Sequence, residues 1–299
     1  MSATAAAAPS VTRVNDDAGT FSERFPILFD PGGRLQKADK VVAVLSDYFG
    51  PSASEISALD IGCSTGIMTC RYAQRFGRVV GIDTDAVGVQ YARRFAEQAG
   101  FSSDQVACEV ADGCNLPFDD NSFDAAVCNQ VYEHVDDHQA LINEIFRVLR
   151  PGGACYFGCG TRHVLIEGHY KLPLLSWLPR PVADWYMAAA GRNARYDVTL
   201  LSYRNLRKLV RPFAVVDYTI DIIKRPERYA EGHRGPIRRF VSRWPAWLLQ
   251  AILPIVPIHV WVLVKPDGRS AWAASFGHRH EQALAIAAGN EDQDGSERS

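Results

Sequence analysis

ALDIGCSTGIMT, from Ala58 to Thr69, sets an apolar run, a carboxylate at Asp60 and a turn from Gly62 to Gly66 directly ahead of a helix-like segment. Twenty-one residues beyond Gly62, a second apolar run, VVGID, ends in Asp83. Glycines at a strand-to-helix turn let the backbone approach a ligand closely. An acid closing the next strand is placed to receive ribose hydroxyls. The two runs together read as a nucleoside-binding site at the head of an α/β unit.

Working outward, strand and helix signals alternate. Residues 56–61 predict a first strand, 67–76 a helix and 78–83 a second strand. Asp85 is placed to cap a helix carrying Val87, Tyr91, Ala92, Phe95 and Ala99 at helical spacing, ended by Gly100. Residues 106–111 and 123–128 predict strands three and four. Leu141, Ile142, Ile145, Val148 and Leu149 form one apolar helix face, stopped by Pro151-Gly152-Gly153, and 154–159 predict strand five. This rhythm predicts a mainly parallel sheet with helices on both faces.

After strand five the rhythm breaks. Residues 160–201 hold His163, His169, Tyr170, Trp177, Trp185 and Tyr186 among leucines and prolines, before Ser202 can cap a helix with Leu206, Leu209 and Val210. A long irregular insertion in a compact domain reads as functional, here as a lid. Residues 213–223 predict a sixth strand. The apolar run from Trp244 to Val264 has the length of a membrane span, but Pro254 and Pro257 divide it. VPIHVWVLV reads instead as a last strand, so no transmembrane helix is expected. The organisation predicted is a disordered tail over 1–20, one domain over 21–265 and a mostly disordered tail over 266–299, with a short helix signal at 278–288.

Composition narrows the function. Hydrophobic residues at 47% and charged residues at 22% support a sizeable core. A net charge of −2 offers no basic excess for nucleic acid. Seven cysteines without a C-x-x-C pair read as buried thiols in a reducing cytosol, which predicts a cytoplasmic protein. MSATAAAAPS lacks the basic and apolar regions of a signal peptide. Asp119, Asp120 and Asp124 crowd one turn and read as solvated; no metal site is expected.

LDIGCSTG, VVGID, VADGCNLPFDDNSFDAAVCNQVYEHV and the helix ending in RVLRPGG together resemble the class I S-adenosylmethionine-dependent methyltransferases. The likeness is greatest to the small-molecule group with an LPF…SFD signature. It covers residues 35–157 well and the rest loosely. It implies a Rossmann-like, doubly wound, seven-stranded α/β sheet whose last strand is antiparallel. By this resemblance Asp60, Gly62, Cys63, Ser64 and Gly66 surround the methionine end of S-adenosyl-L-methionine, with Asp60 facing its ammonium directly or through water. Ser64 stands where the family often has glycine. Asp83, with Thr84 beside it, takes the ribose, Ala111 and Asp112 meet the adenine edge, and Asn129 and Gln130 line the cofactor after strand four. Glu133 and His134 follow toward the acceptor. His134 is the candidate base, with cofactor contact or structural partner as its alternatives. His169 and Tyr170 are acceptor-pocket candidates, with lid packing as theirs.

Two rivals share parts of this pattern. A nicotinamide-dependent (NAD) oxidoreductase has the same acid after strand two, but DIGCSTG does not supply G-x-G-x-x-G. A non-catalytic, methyltransferase-like binding subunit would keep the motifs without turnover. The acceptor is expected to be small, and an apolar or lipid-like one would suit the leucine- and tryptophan-rich insertion. Arginines beside Trp244 and Trp247 in 234–253 suit an interfacial helix and peripheral contact with a membrane. The alternative is that both segments pack on the sheet over a soluble substrate.

Overall fold

Side chains of successive strand residues point alternately into two apolar layers, and this alternation organises the molecule. The computed structural model describes residues 30–168, 170–192, 196–231 and 236–267. Within them lie β1 (Ser57–Ile61), β2 (Arg78–Asp83), β3 (Val106–Val110), β4 (Phe123–Asn129), β5 (Leu149–Gly160), β6 (Ala214–Asp217) and β7 (Ile258–Val264). They form one sheet in the order β3-β2-β1-β4-β5-β7-β6. Neighbours are parallel except at β7, which runs antiparallel to both β5 and β6. This is the doubly wound, Rossmann-like α/β sheet with an antiparallel last strand.

Leu59, Ile61, Ala126, Cys128, Cys155 and Phe157 face one layer, covered by α4 (His138–Val148) and α6 (Tyr203–Leu209). Ala58, Ala125, Val127, Ala154 and Tyr156 face the other, under α1 (Pro31–Phe49). On α1, Ala38, Val41, Val44 and Leu45 form the buried stripe, and Asp30 caps the first turn through the Gly32 and Gly33 N–H groups. Further along, α2 (Ile67–Ala73) and α3 (Ala86–Gln98) pack with β2 and β3; Asp85 caps α3 by accepting from Val87 and Gly88.

The structure departs from the sequence expectations in four places. The predicted strand over 213–223 stops at Asp217, whose Oδ1 accepts the Thr219 N–H (2.8 Å) and Oδ2 the Trp261 indole N–H (3.0 Å). Residues Thr219–Lys224 then form α7, because burial of Ile222 against the α1 layer outweighs the strand-like alternation. Pro151-Gly152-Gly153 does more than stop a helix, for it forms an irregularity inside β5, where the register shifts between Phe123 and Ala125. The acidic turn is not simply solvated. Arg147 bonds Asp120 (2.9 Å) and Arg150 bonds Asp124 (2.5 Å), while Asp124 also accepts the Ser57 N–H (2.9 Å). Finally, the expected interfacial helix is broken into α8 (Pro236–Ser242) and α9 (Ala246–Ile252), with Pro245 between them.

Two insertions rise from the carboxyl edge of the sheet. Residues 161–202 follow β5 and carry α5 (Arg180–Ala189), with a small core of Leu175, Ala183, Met187, Tyr196 and Val198. Residues 218–257 separate β6 from β7, an antiparallel pair that two residues suffice to join. Thr161 ties the two together, donating its N–H to the Pro257 carbonyl (2.8 Å) and its hydroxyl to that of Val256 (3.0 Å). Among the described residues no helix is long and apolar enough to cross a membrane. The helix signal at 278–288 and the tail 1–20 lie outside the described residues, as does all of the tail 266–299 beyond Asp267.

Candidate active site

The chain leaves β1 toward β2 and β3, then returns to β4 on the other side of β1. Connections therefore diverge above β1 and β4, which opens a crevice at their carboxyl ends, the usual ligand position in such sheets. The glycine turn forms one wall. Gly62 and Cys63 donate their N–H groups to the Ile82 carbonyl (2.8 and 2.9 Å), folding the turn back over β2. Gly66 opens α2 at φ +76°, where a Cβ would lie 2.6 Å from that of Ala92 on α3. Ser64 also holds a positive φ, +50°, which a glycine would adopt with less strain. Its buried hydroxyl finds no hydrogen-bond partner among the described residues.

Asp83 ties this wall to β2. Its Oδ2 accepts the Ser64 N–H (2.8 Å) and its Oδ1 the Asp85 N–H (2.9 Å). Burial pushes its carboxyl up from the ordinary range, against the pull of those N–H groups. Thr84 is exposed beside it. Asp60 lies deeper, buried at the end of β1, where Thr69 of α2 donates its hydroxyl to Oδ2 (2.6 Å). Burial pushes Asp60 up to about 7; the Thr69 hydrogen bond and the Arg34 guanidinium oppose this, and the Asp83 charge adds to it. Cys63 is buried with its thiol against the bare Cα of Gly81.

The third strand brings up Ala111, which donates its N–H to the Asp83 carbonyl (3.1 Å), and Asp112, which is exposed. Asp112 Oδ1 accepts the Cys114 N–H (2.8 Å) in a local turn. The opposite wall follows β4. Asn129 lies over Gly158, where a Cβ would fall 2.2 Å from Asn129 Oδ1. Gln130 takes φ +59° and donates both its backbone and side-chain N–H groups to the Gly158 carbonyl (2.8 and 3.3 Å). Glu133 is buried and His134 half-buried in the short turn that follows.

The predicted cofactor residues thus converge at the ends of β1, β2, β3 and β4. Glu133 reaches the first insertion through its carbonyl, which accepts the Thr199 N–H (2.9 Å). Tyr170 belongs to the insertion's own framework. Its hydroxyl donates to Asp197 (2.7 Å), its N–H to Glu167 (2.6 Å), and its ring meets Tyr196 edge-on. His169 lies outside the described residues.

Three residues escaped the sequence reading. Thr69 and Arg34 act on Asp60 from α2 and α1, and neither falls in a recognisable pattern. Tyr132, fully buried, donates its hydroxyl to the Gly160 carbonyl (2.5 Å) and accepts the Leu201 N–H (3.3 Å), clasping both ends of the first insertion. An isolated aromatic after a strand carries no signal for that role.

This donor and acceptor set suits a nucleoside with a cationic end: carboxylates at Asp83 and Asp60, and an unsatisfied hydroxyl at Ser64. A family model described as a methyltransferase domain matches residues 59–157. A ubiquinone biosynthesis O-methyltransferase of Pseudomonas fluorescens (strain SBW25) is 31% identical over 177 residues, covering 53% of this chain and 73% of the relative. The demethylmenaquinone methyltransferase of Symbiobacterium thermophilum is 26% identical over 178 residues, covering 58% of this chain; the chain spans 64% of that relative's length. Among solved structures, geranyl diphosphate C-methyltransferase from Streptomyces coelicolor A3(2), bound to Mg2+, geranyl diphosphate and S-adenosyl-L-homocysteine, overlays with a TM-score of 0.46 at 20% identity, over 76% of each chain. The chain belongs to the class I S-adenosylmethionine-dependent methyltransferase family.

Proposed function

We propose that the protein transfers a methyl group from S-adenosylmethionine to an O, N or C atom of a small apolar or lipid-like acceptor. The observation that carries this reading is the pairing of a carboxylate-bearing crevice at four strand ends with two apolar-rich insertions on the same edge of the sheet. When bound, S-adenosylmethionine supplies a methyl group already activated by a sulfonium centre. The protein's share is alignment and exclusion of water. Asp83 would hold the ribose, Asp60 the ammonium end, and the turn from Gly62 to Gly66 with Cys63, Ser64 and Thr84 the body of the ligand. Ala111 and Asp112 would meet the adenine, and Asn129 and Gln130 would close the opposite wall. Glu133, in the turn after β4, would face the acceptor. The proposed unit is the domain over 21–265, with 160–201 as its lid.

By name, one relative is a methyltransferase of demethylmenaquinone and another an O-methyltransferase of ubiquinone biosynthesis, which makes prenylated phenols and quinols the first acceptors to test. Incubation with isotopically labelled cofactor should label such a compound and leave its water-soluble analogue unlabelled. Label found only in polar metabolites would reject the apolar acceptor. Binding of NAD without binding of S-adenosylmethionine would reject the reaction itself.

His134 is the proposed base for an oxygen acceptor. His134→Ala is expected to lower turnover by ~10²-fold or more with cofactor affinity nearly unchanged. Unchanged turnover removes it from that role, and a defect in affinity alone makes it a cofactor contact.

Asp60 gives a pH signature. With its carboxyl raised to about 7, the folded protein keeps this proton between about pH 4 and 7, where the unfolded chain has lost it. A cationic ligand end favours the carboxylate, so binding must expel the proton. Cofactor affinity should therefore rise as pH climbs from about 5.5 to 7, by at most roughly tenfold per unit. Asp60→Asn should flatten that rise, as titration calorimetry across pH would record. A slope unchanged in the variant would assign the proton elsewhere.

A further inference from the structure

Large apolar side chains that stand in water are not spread evenly over this protein. Of the fourteen exposed among the described residues, nine lie on the two insertions, and Ile258 adjoins them. Trp247 is 69% exposed, Trp185 68%, and Phe240 and Ile255 each 63%, far more than an aromatic or isoleucine gains from ordinary packing. The Thr161 hydrogen bonds to Val256 and Pro257 join the bases of the two insertions at one edge.

The second insertion keeps its carboxylates, Asp221, Glu227 and Glu231, in its first part, and the stretch that carries Phe240, Trp247 and Ile255 is one-sided in charge. From Gly232 to Pro266 there is no aspartate or glutamate, whereas Arg239 and Arg243 flank Phe240 and are exposed. The first insertion has three carboxylates, all engaged within it. Glu167 is buried and accepts the Tyr170 N–H, Asp184 accepts the Tyr196 N–H (2.9 Å) and Asp197 the Tyr170 hydroxyl. Arg162, Lys171 and Arg180 remain on its surface.

We propose that this edge docks on the surface of an anionic lipid bilayer, with Trp185, Trp247, Phe240 and Ile255 entering the headgroup boundary and the arginines resting on lipid phosphates. Tryptophan and arginine side chains are suited to that boundary, where rings meet the acyl region and cations the headgroups. A second copy of the chain fits less well. A symmetric contact through Phe240, Trp247 and Ile255 would set Arg239 and Arg243 against their own copies, since the stretch 232–266 that carries them has no carboxylate to receive them. The inference stands apart from methyl transfer, since cofactor binding would survive its failure.

Flotation of the full-length protein with phosphatidylcholine vesicles, with and without phosphatidylglycerol, tests it at low and high salt. Binding should need the anionic lipid, weaken with salt, and fall about tenfold or more in Arg239→Gln/Arg243→Gln. Trp185→Ala/Trp247→Ala should lower partitioning by a similar factor and, unlike the arginine pair, at high salt as well. Circular dichroism and cofactor titration confirm that each variant is folded. Failure of the folded wild-type protein to float at low salt would overturn the proposal. So would flotation indifferent to both pairs, or a dimer on size exclusion that Trp185→Ala/Trp247→Ala dissolves.

Discussion

Gly66→Ala is expected to destabilise the protein by about 3 kcal/mol, while Gly100→Ala should cost only about 1 kcal/mol. Both glycines sit in left-handed backbone, at φ +76° and +82°. They differ in what surrounds them. A Cβ on Gly66 would come within 2.6 Å of the Ala92 Cβ and 2.7 Å of its Cα, whereas nothing lies within 4 Å of one on Gly100. Relief at Gly66 requires moving α3 away from α2, because the obstructing atoms belong to a helix backbone and its shortest side chain. Chemical denaturation of the two variants separates the conformational cost, which both incur, from the packing cost, which only Gly66 incurs. Equal losses would mean that the two helices separate without resistance. Cofactor affinity should fall in Gly66→Ala as well, since the same glycine shapes the turn above β1.

The second large effect concerns Asp83. Asp83→Asn should weaken S-adenosylmethionine by roughly 1.5–3 kcal/mol, the range for a hydrogen bond to a charged group. The amide keeps one acceptor for the Ser64 or Asp85 N–H, so the unliganded protein should unfold near its usual midpoint. Asp83→Ala removes both acceptors and should add a stability loss of about 1–3 kcal/mol to the binding defect. From its position at a strand end alone, Asp83 would contribute little to the unliganded protein; the two N–H groups it receives change that. Paired calorimetry and thermal melts distinguish the roles. Full affinity in Asp83→Asn would leave the residue a structural tie for the glycine turn.

The positions of the strands and of the main crevice residues were legible because they depend on local pattern. Apolar runs ending in Asp60, Asp83 and Asn129 mark strand ends, and Asp85 marks a helix start through its own short-range hydrogen bonds. What escaped reading depends on partners remote in sequence. Tyr132 gains its role from Gly160 and Leu201, and the pressure on Asp60 comes from burial that no neighbouring residue announces. The positive φ of Ser64 and Gln130 was equally hidden, since neither residue type calls for that backbone. Residues 218–223 misled for a different reason: Tyr218, Ile220 and Ile222 alternate as a strand would, and only Asp217 turning back on Thr219 and Trp261 ends the sheet there.

The place of β7 has a consequence for how the chain matures during synthesis. Among the described residues, the last strand to leave the ribosome is an interior strand, seated between β5 and β6. Until Ile258–Val264 emerges, β5 presents an open edge and β6 has no partner in the sheet. Exposed edges of this kind invite pairing with other chains. A nascent chain halted within 218–257 would hold the β1–β5 half ready to fold, yet carry two unpaired strands and the apolar side chains of both insertions. Completion of the sheet therefore waits on the synthesis of β7, and this half-built species is the one most in need of a chaperone.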